Sequence, residues 1–120
     1  MRKLSRNSKL AKPKEKSELW IRREVYGNVP EEYHFVLSNG EKLKDLRDLV
    51  NTLEKMPEDV FRHHVNEMRN DFSNWVKDVF KDSSLAEELK RMHSKMETEL
   101  ALQKYINKKL DKLVNKLAMN

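Results

Sequence analysis

The sequence of 120 residues predicts a mainly α-helical protein with a small β element, in which a compact helical body is followed by a long C-terminal helix. Three observations predict this fold class. Alternating apolar and polar residues before Asn39-Gly40 are typical of a short strand and a tight turn. From Leu43 onward, apolar residues recur at spacings of three and four, the period of an amphipathic helix. After Ser84, no proline or glycine interrupts the chain, which favours one continuous helix.

The body is predicted to span residues 17–83. Its first segment, residues 17–30, forms a short strand or helix that docks on the rest and ends in a turn at Gly27. The strand and turn around Asn39-Gly40 come next. A helix that begins at Leu43 is predicted next, and it ends before Pro57, because the residue before a proline is pushed out of the helical region.

Two further helices are predicted between Pro57 and Phe80. Proline and two acidic residues open the first, which suits the positive end of a helix dipole. Asn70 or Asp71 caps the second. One face of the first helix is expected to hold Val60, Phe61, His64, Val65 and Met68, and one face of the second Phe72, Trp75, Val76, Val79 and Phe80.

The long C-terminal helix is predicted over residues 84–120, starting at a capping box of Ser84 and Glu87. A helix of roughly 35 residues is about 50 Å long, too long to be buried at both ends by a small body. Its apolar stripe repeats in heptads, so the distal part is expected to pair with a second copy. The predicted homodimer contact consists of Leu89, Met92, Met96, Ile106, Leu110, Leu113 and Leu117.

Positive charge is concentrated at the two ends of the chain, although the formal net charge is only +5. Residues 1–16 are predicted to be a basic flexible arm, since they hold too few apolar residues to offset the entropy of ordering. The cations of this arm, opposed only by Glu15, are Arg2, Lys3, Arg6, Lys9, Lys12, Lys14 and Lys16. The alternative for such an arm is a solubilising tail.

A second group of lysines lies near the end of the predicted long helix. At 100° per residue they occupy one arc of the helix, opposite the apolar stripe. They are Lys104, Lys108, Lys109, Lys112 and Lys116. Because lysines one turn apart repel each other, this arrangement favours a polyanionic partner. The arm and these lysines are therefore the predicted nucleic-acid contacts, while a solvated face is the alternative.

Composition excludes several functional classes. The chain has no cysteine, so disulfides, thiolate zinc sites and cysteine nucleophiles are excluded, and its two glycines leave no phosphate-binding loop. No apolar run is long enough for a membrane span or a secretory signal. Nothing pairs a nucleophile with a base. We therefore expect a cytoplasmic protein that is not an enzyme and uses no cofactor and no small-molecule substrate.

Two side-chain clusters could suggest other sites. His63, His64, Glu67 and Asp71 have the spacing of metal ligands on a helix, but the two histidines should point in different directions. We therefore expect no metal site and a hydrogen-bonded core role for His64. Aromatic residues could stack on bases, but core packing is favoured for Phe72, Trp75 and Phe80, and docking on the body is an equal possibility for Trp20 and Tyr26.

The body also resembles a known family. The segments YHFVLSNG, Met56-Pro57, Val60-Phe61 with His63-His64-Val65, and Asn70-Asp71-Phe72 with Asn74-Trp75-Val76 resemble a small prokaryotic domain family, largely archaeal and of unknown function, over about residues 33–80. The whole plan, a basic arm, a compact body and a long C-terminal helix, resembles the archaeal ribosome dimerisation factors. That resemblance implies a homodimer that links two small ribosomal subunits.

Together these features predict a non-catalytic protein that binds ribosomal RNA or the small ribosomal subunit, forms a homodimer and links or silences ribosomal subunits. Phosphate contacts by lysine and arginine would supply the affinity, and the shape of the RNA would supply placement. One alternative is a DNA-binding protein of the chromatin type. Another is an antitoxin-like or adaptor protein that uses its acidic body as the binding surface.

Overall fold

The computed structural model describes residues 19–118 and confirms the fold class, with one small hairpin and six helices, the last of which is long. The elements, in chain order, are α1 (19–26), a 3-10 turn (Glu31–Tyr33), β1 (Phe35–Val36), β2 (Lys42–Leu43), α2 (Leu46–Lys55), α3 (Glu58–His64), α4 (Asp71–Trp75), a π-helical turn (Val76–Phe80), α5 (Ser83–Lys90) and α6 (Lys95–Ala118). The segment before Gly27 is therefore a helix rather than a strand. The predicted basic arm of residues 1–16 lies outside the described residues.

The predicted strand and turn form a two-stranded antiparallel hairpin. Phe35 pairs with Leu43 in the ladder between β1 and β2. The turn is closed by Gly40, whose N–H donates to the carbonyl of Leu37 over 2.8 Å. Gly40 has a φ of +92°, a region that glycine enters without a steric cost. Leu43, which we had assigned to the following helix, belongs to β2 instead.

Side-chain caps fix where the helices begin. The Asn70 side chain accepts the N–H of Ser73 at the start of α4, which confirms one of the two predicted caps. The predicted capping box at Ser84 is wrong. The carboxylate of Asp82 caps α5 by accepting the N–H of Leu85 over 3.0 Å, so this helix begins at Ser83.

The prediction of one continuous helix over residues 84–120 is also wrong, because the helix is interrupted between α5 and α6. Ser94 and Glu97 form a capping box at the break: the N–H of Glu97 donates to Ser94 Oγ, and the N–H of Ser94 donates to Glu97 Oε1. The N–H of His93 donates to the same carboxylate oxygen. The N–H of His93, the Ser94 hydroxyl and the N–H of Ser94 all donate to this carboxylate and hold the pKa of Glu97 below its usual range.

A single hydrophobic core joins the hairpin to all six helices. Its centre consists of completely buried side chains from α2, α3, α4, α5 and α6, namely Leu49, Phe61, Phe72, Leu89 and Leu102. The core therefore crosses the boundary that we predicted between residues 83 and 84. Within residues 19–118, no helix has both the length and the apolar character needed to cross a membrane.

The core also occupies much of the predicted dimer contact. Leu89 and Ile106 are buried in it, and Met92, Leu110 and Leu113 pack against its edge. The sequence predicted that the distal part of the apolar stripe lies too far from the body to be buried by it. This prediction is wrong for the stripe up to Leu113, because the helix is interrupted before α6 and α6 packs along α2. Among the residues of the predicted dimer contact, Met96 and Leu117 are exposed.

Candidate nucleic-acid interface

The five C-terminal lysines come together along one groove. The groove lies between the distal half of α6 (residues 107–118, with the turn before it), α5 and α1, and it has a volume of about 600 Å³. We call it the lysine groove, and its basic lining consists of Lys104, Lys108, Lys109, Lys112 and Lys116. Its apolar lining includes Leu85 and Leu113. The five lysines that the helical period places on one arc therefore line one continuous concave surface.

The period of α6 explains why the groove is basic. In the proximal half (residues 95–106), the side of the helix that faces the body carries Ala101, Leu102 and Ile106, all buried. One or two turns later, neighbouring positions of the helix carry Lys109, Lys112 and Lys116, where only Leu110 and Leu113 still pack against the edge of the core. The lysine ammonium groups are therefore held close to the body without being buried in it, as snorkelling side chains are.

The floor of the groove is fixed by Tyr105 and Asp82. The Tyr105 hydroxyl donates a hydrogen bond of 2.7 Å to Asp82 Oδ2, while Asp82 Oδ1 caps α5. Lys109 Nζ lies 5.3 Å from the centre of the Tyr105 ring, within the range of a cation–π contact. Asp82 thus connects the first turn of α5 to the middle of α6.

Both side chains have shifted pKa values. Burial raises the pKa of Tyr105 strongly, and the hydrogen bond and charge of Asp82 raise it further. For Asp82, burial acts to raise the pKa, but the N–H of Leu85, the Tyr105 hydroxyl and the charge of Lys109 together outweigh it and hold the pKa below its usual range. Tyr105 therefore remains a neutral donor and Asp82 a charged acceptor across the physiological range of pH.

Three carboxylates share the groove with the lysines. They belong to Glu24 of α1, Glu88 of α5 and Asp82. Five ammonium groups therefore face three carboxylates, which leaves the described lining of the groove with a formal charge of +2. The groove therefore retains a positive excess that suits an anionic ligand with several charges spaced along its length.

The histidine cluster is a structural element. His64 is buried, Nε2 accepts the N–H of Ser38 over 3.0 Å, and Nδ1 lies 2.9 Å from Asp71 Oδ2. This pairing places the proton on Nδ1 and leaves no nitrogen lone pair for another ligand. The predicted hydrogen-bonded core role of His64 is confirmed. His63 is exposed, and no three His, Asp or Glu side chains in residues 19–118 come together as metal ligands.

Aromatic residues mostly pack inside the body. Phe72 is completely buried, and the buried Trp75 donates from Nε1 to the carbonyl of Tyr33 over 2.8 Å, so core packing is confirmed for both. Phe80 is half-buried, with its ring against Gly27. Tyr26 is also half-buried, whereas Trp20 keeps 42% of its surface exposed.

Met68 differs most from the sequence prediction. We placed it on the apolar face of the helix after Pro57, but α3 ends at His64 and Met68 is 90% exposed in the loop that follows. Asn66 stabilises this loop, since its side chain donates to the carbonyl of Arg62 and accepts the N–H of Met68. An asparagine that satisfies local backbone groups competes with helix continuation, a signal that the apolar spacing obscures.

Comparisons with known proteins give one match. A model described as a family of unknown function, DUF5752, matches residues 28–119. The matched range includes α6 and all five lysines of the groove, whereas α1 and the basic arm precede it. No curated protein and no solved structure matches the chain.

Proposed function

The chain belongs to the DUF5752 family of unknown function, and we propose that it is a non-catalytic RNA-binding protein that contacts RNA phosphates through the lysine groove. The observation that carries this proposal is the convergence of five lysines of one helix on a single groove beside the body. The target that we propose is ribosomal RNA, in the small ribosomal subunit. The basic arm of residues 1–16 would add further phosphate contacts.

The spacing of the lysines supports a polyanion rather than a single small anion. Lys104, Lys108, Lys112 and Lys116 follow one another at intervals of four residues, so the row is about 18 Å long at 1.5 Å per residue. Each neighbouring pair of lysines destabilises the helix by a few tenths of a kcal/mol. A partner with phosphates distributed along the row relieves this repulsion at every step.

RNA is favoured over duplex DNA by the side chains that the groove lacks. Reading bases in the DNA major groove relies mainly on arginine, asparagine and glutamine side chains, and lysine can also contact guanine. Of these residue types, the described lining of the groove contains only lysine. Lysine contacts to phosphates position a ligand without reading its sequence, which suits recognition of a folded RNA by its shape.

The plan of the whole chain supports a ribosomal target. The resemblance to the archaeal ribosome dimerisation factors rests on a basic arm, a compact body and a long C-terminal helix. If two copies associate, each contributes one groove and one arm, and the pair can bind two copies of the same particle. Such a dimer would link or silence ribosomal subunits in the cytoplasm.

Fractionation of a cell lysate on a sucrose gradient tests the proposal. The protein is expected to sediment with the small ribosomal subunit at low salt, and to return to the top of the gradient at high salt or after nuclease treatment. Purified protein should then be titrated against ribosomal RNA and duplex DNA of equal length. Tighter binding to the duplex would contradict the RNA assignment and favour the chromatin-type alternative.

Deletion of residues 1–16 separates RNA binding from an adaptor role. If the chain binds RNA, the deletion should weaken co-sedimentation, and combining it with Lys-to-Gln substitutions in the groove should abolish co-sedimentation. An adaptor that binds through its acidic body would keep its protein partner in both variants. Retention of the same partner by both variants would therefore contradict the proposal.

A further inference from the structure

A second face of α6 carries a regular, mostly apolar row that the body leaves largely uncovered, with only Leu110 packed against the edge of the core. The row runs at alternating spacings of four and three residues through Met96, Leu100, Gln103, Asn107, Leu110, Val114 and Leu117. Met96, Leu100, Val114 and Leu117 are 72%, 56%, 61% and 52% exposed. Within residues 19–118 these are four of the nine large hydrophobic side chains that are exposed, and all four lie on one line. We call this row the exposed seam.

From this row we infer that a second copy of the chain packs against the exposed seam as a parallel, in-register coiled coil. The spacing averages 3.5 residues, the repeat of a left-handed two-stranded coil. Leu100, Asn107 and Val114 take the a positions, whereas Met96, Gln103, Leu110 and Leu117 take the d positions. The inference concerns which face pairs and in which orientation, and it does not depend on RNA binding.

The exposed seam differs by one row from the contact predicted by sequence. Both share the d positions Met96, Leu110 and Leu117. The sequence prediction added Ile106 and Leu113, which the structure assigns to the body. Because those two positions face the core, the row on the other side of the d positions is the one left for a partner.

The residue types along the seam favour a parallel dimer. Val114, a β-branched residue, is at an a position, and Leu110 and Leu117 are at d positions, the combination that favours two strands. Asn107 occupies an a position, so in a parallel in-register pair it faces the partner's Asn107 across the seam. A hydrogen bond between these two amides fixes the register and the number of strands, at a cost in stability.

The charges beside the seam favour the same orientation. In a parallel pair, Glu99 at a g position faces the partner's Lys104 at an e position, which gives two opposite-charge contacts per dimer. In the antiparallel pair that brings Gln103 opposite the partner's Asn107, Glu97 would face the partner's Asp111 and Lys104 would face the partner's Lys104. These like-charge contacts disfavour the antiparallel pair.

The seam and the lysine groove occupy different sides of α6. Groove residues such as Lys112 lie about 160° around the helix from Met96, at 100° per residue. Of the groove lysines, only Lys104 borders the seam, at an e position, so pairing leaves Lys108, Lys109, Lys112 and Lys116 of each copy open to a ligand. A dimer of this kind has two grooves and can bind two anionic segments at once.

Light scattering over a range of protein concentrations tests the pairing. The full-length wild-type chain is expected to shift from monomer to dimer with increasing concentration. Val114→Asp should shift the midpoint at least tenfold towards higher concentration, whereas Asn115→Asp on the adjacent, outward-facing position should leave it unchanged. Circular dichroism confirms that both variants remain folded, as expected for positions that are exposed in the monomer. A wild type that stays monomeric, or equal behaviour of the two variants, would overturn the inference.

Single cysteines test the orientation, because the natural chain contains none. In a parallel pair, two copies of Leu117→Cys bring their sulfur atoms together at the end of the seam, and a glutathione redox buffer should convert most of the protein into a disulfide-linked dimer. Asn115→Cys points away from the seam and should remain mostly uncoupled. A wild-type dimer whose Leu117→Cys variant couples no better than Asn115→Cys would overturn the parallel arrangement. RNA binding is measured separately, so failure of the seam and failure of the proposed RNA-binding function are distinguishable.

Discussion

The two halves of α6 follow the same helical period but meet different surroundings. The proximal half (residues 95–106) buries Thr98, Ala101, Leu102 and Ile106 in the core. The distal half (residues 107–118) extends past the core, and only Leu110 and Leu113 still pack against its edge. The comparison shows that an apolar stripe becomes a core where the body supplies a partner, and remains a candidate contact surface where it does not.

The difference extends to the charges. The proximal half is neutral, with Lys95 and Lys104 against Glu97 and Glu99, whereas the distal half carries four lysines against Asp111 and has a formal charge of +3. Cations in the last turn interact favourably with the negative end of the helix dipole, which partly offsets their mutual repulsion. The distal half is therefore a stable helix that presents positive charge, although few of its side chains are buried.

Truncating one leucine in each half should give the largest contrast in stability. Leu102→Ala removes a completely buried side chain, so it should lower the free energy of unfolding by about 2–5 kcal/mol. Leu113→Ala removes a half-buried side chain and should cost roughly 1 kcal/mol. Urea denaturation followed by circular dichroism measures both. Equal losses would show that the distal half is packed as tightly as the proximal half.

The contact between Asp82 and Tyr105 is expected to have an intermediate effect. Asp82→Ala removes the cap of α5 and the acceptor of the Tyr105 hydroxyl, so it should cost about 1 kcal/mol at neutral pH. Asp111→Ala removes an exposed carboxylate from the distal half and serves as the matched control. It should change the free energy of unfolding much less than Asp82→Ala does.

The effect of Asp82 should also depend on pH in a defined direction. Its pKa in the folded protein is lowered from its ordinary value, so the charged form stabilises the fold at pH values above the unfolded-state pKa. This contribution is lost as the pH falls through the lowered folded-state pKa. The stability gap between wild type and Asp82→Ala should therefore be constant near neutral pH and narrow in the acid range. A gap that widened on acidification would contradict the assigned pKa direction.

Removing one groove lysine should have the smallest effect on stability, with the opposite sign. Lys108→Gln relieves the repulsion with Lys104 and with Lys112, so the free energy of unfolding should rise by a few tenths of a kcal/mol per pair at low salt. The increase should disappear at high salt because screening removes the repulsion. Lys42→Gln on β2 is the control. A decrease in stability at low salt would indicate that the carboxylates of the groove already neutralise the lysines.

Much of the fold follows from local sequence signals. The hairpin was predictable because Asn39-Gly40 follows an alternating segment, and the end of α2 was predictable from Pro57. The break before α6 also has a local signal, the capping box of Ser94 and Glu97, but an uninterrupted apolar period obscures it. The capping-box pattern of Ser84 and Glu87 likewise obscured the cap that Asp82 supplies, two residues before Ser84.

The contact surfaces were predictable only in part. The grouping of the five lysines was predicted because they share one arc of a single helix, whereas the groove that they line with α1 and α5 was not, because it depends on long-range packing. The dimer contact was assigned to a row that includes Ile106 and Leu113, because two apolar rows flank Leu110 and periodicity cannot tell which of them faces the body. That choice depends on how α6 packs against α2, which is a long-range property.

The dependence of RNA binding on salt tests the central claim most directly. A variant with Lys108, Lys112 and Lys116 replaced by glutamine should be compared with one in which the exposed Lys42, Lys55 and Lys77 are replaced. Both lose the same charge, so only a specific role of the lysine groove distinguishes them. For binding to a ribosomal RNA fragment, the groove variant should flatten the slope of log K against log salt by about 2–3 units, since each lost phosphate contact contributes about 0.7–0.9. The control variant should keep the wild-type slope. Equal slopes for the two variants would contradict the assignment of the distal half of α6 as the RNA-binding surface.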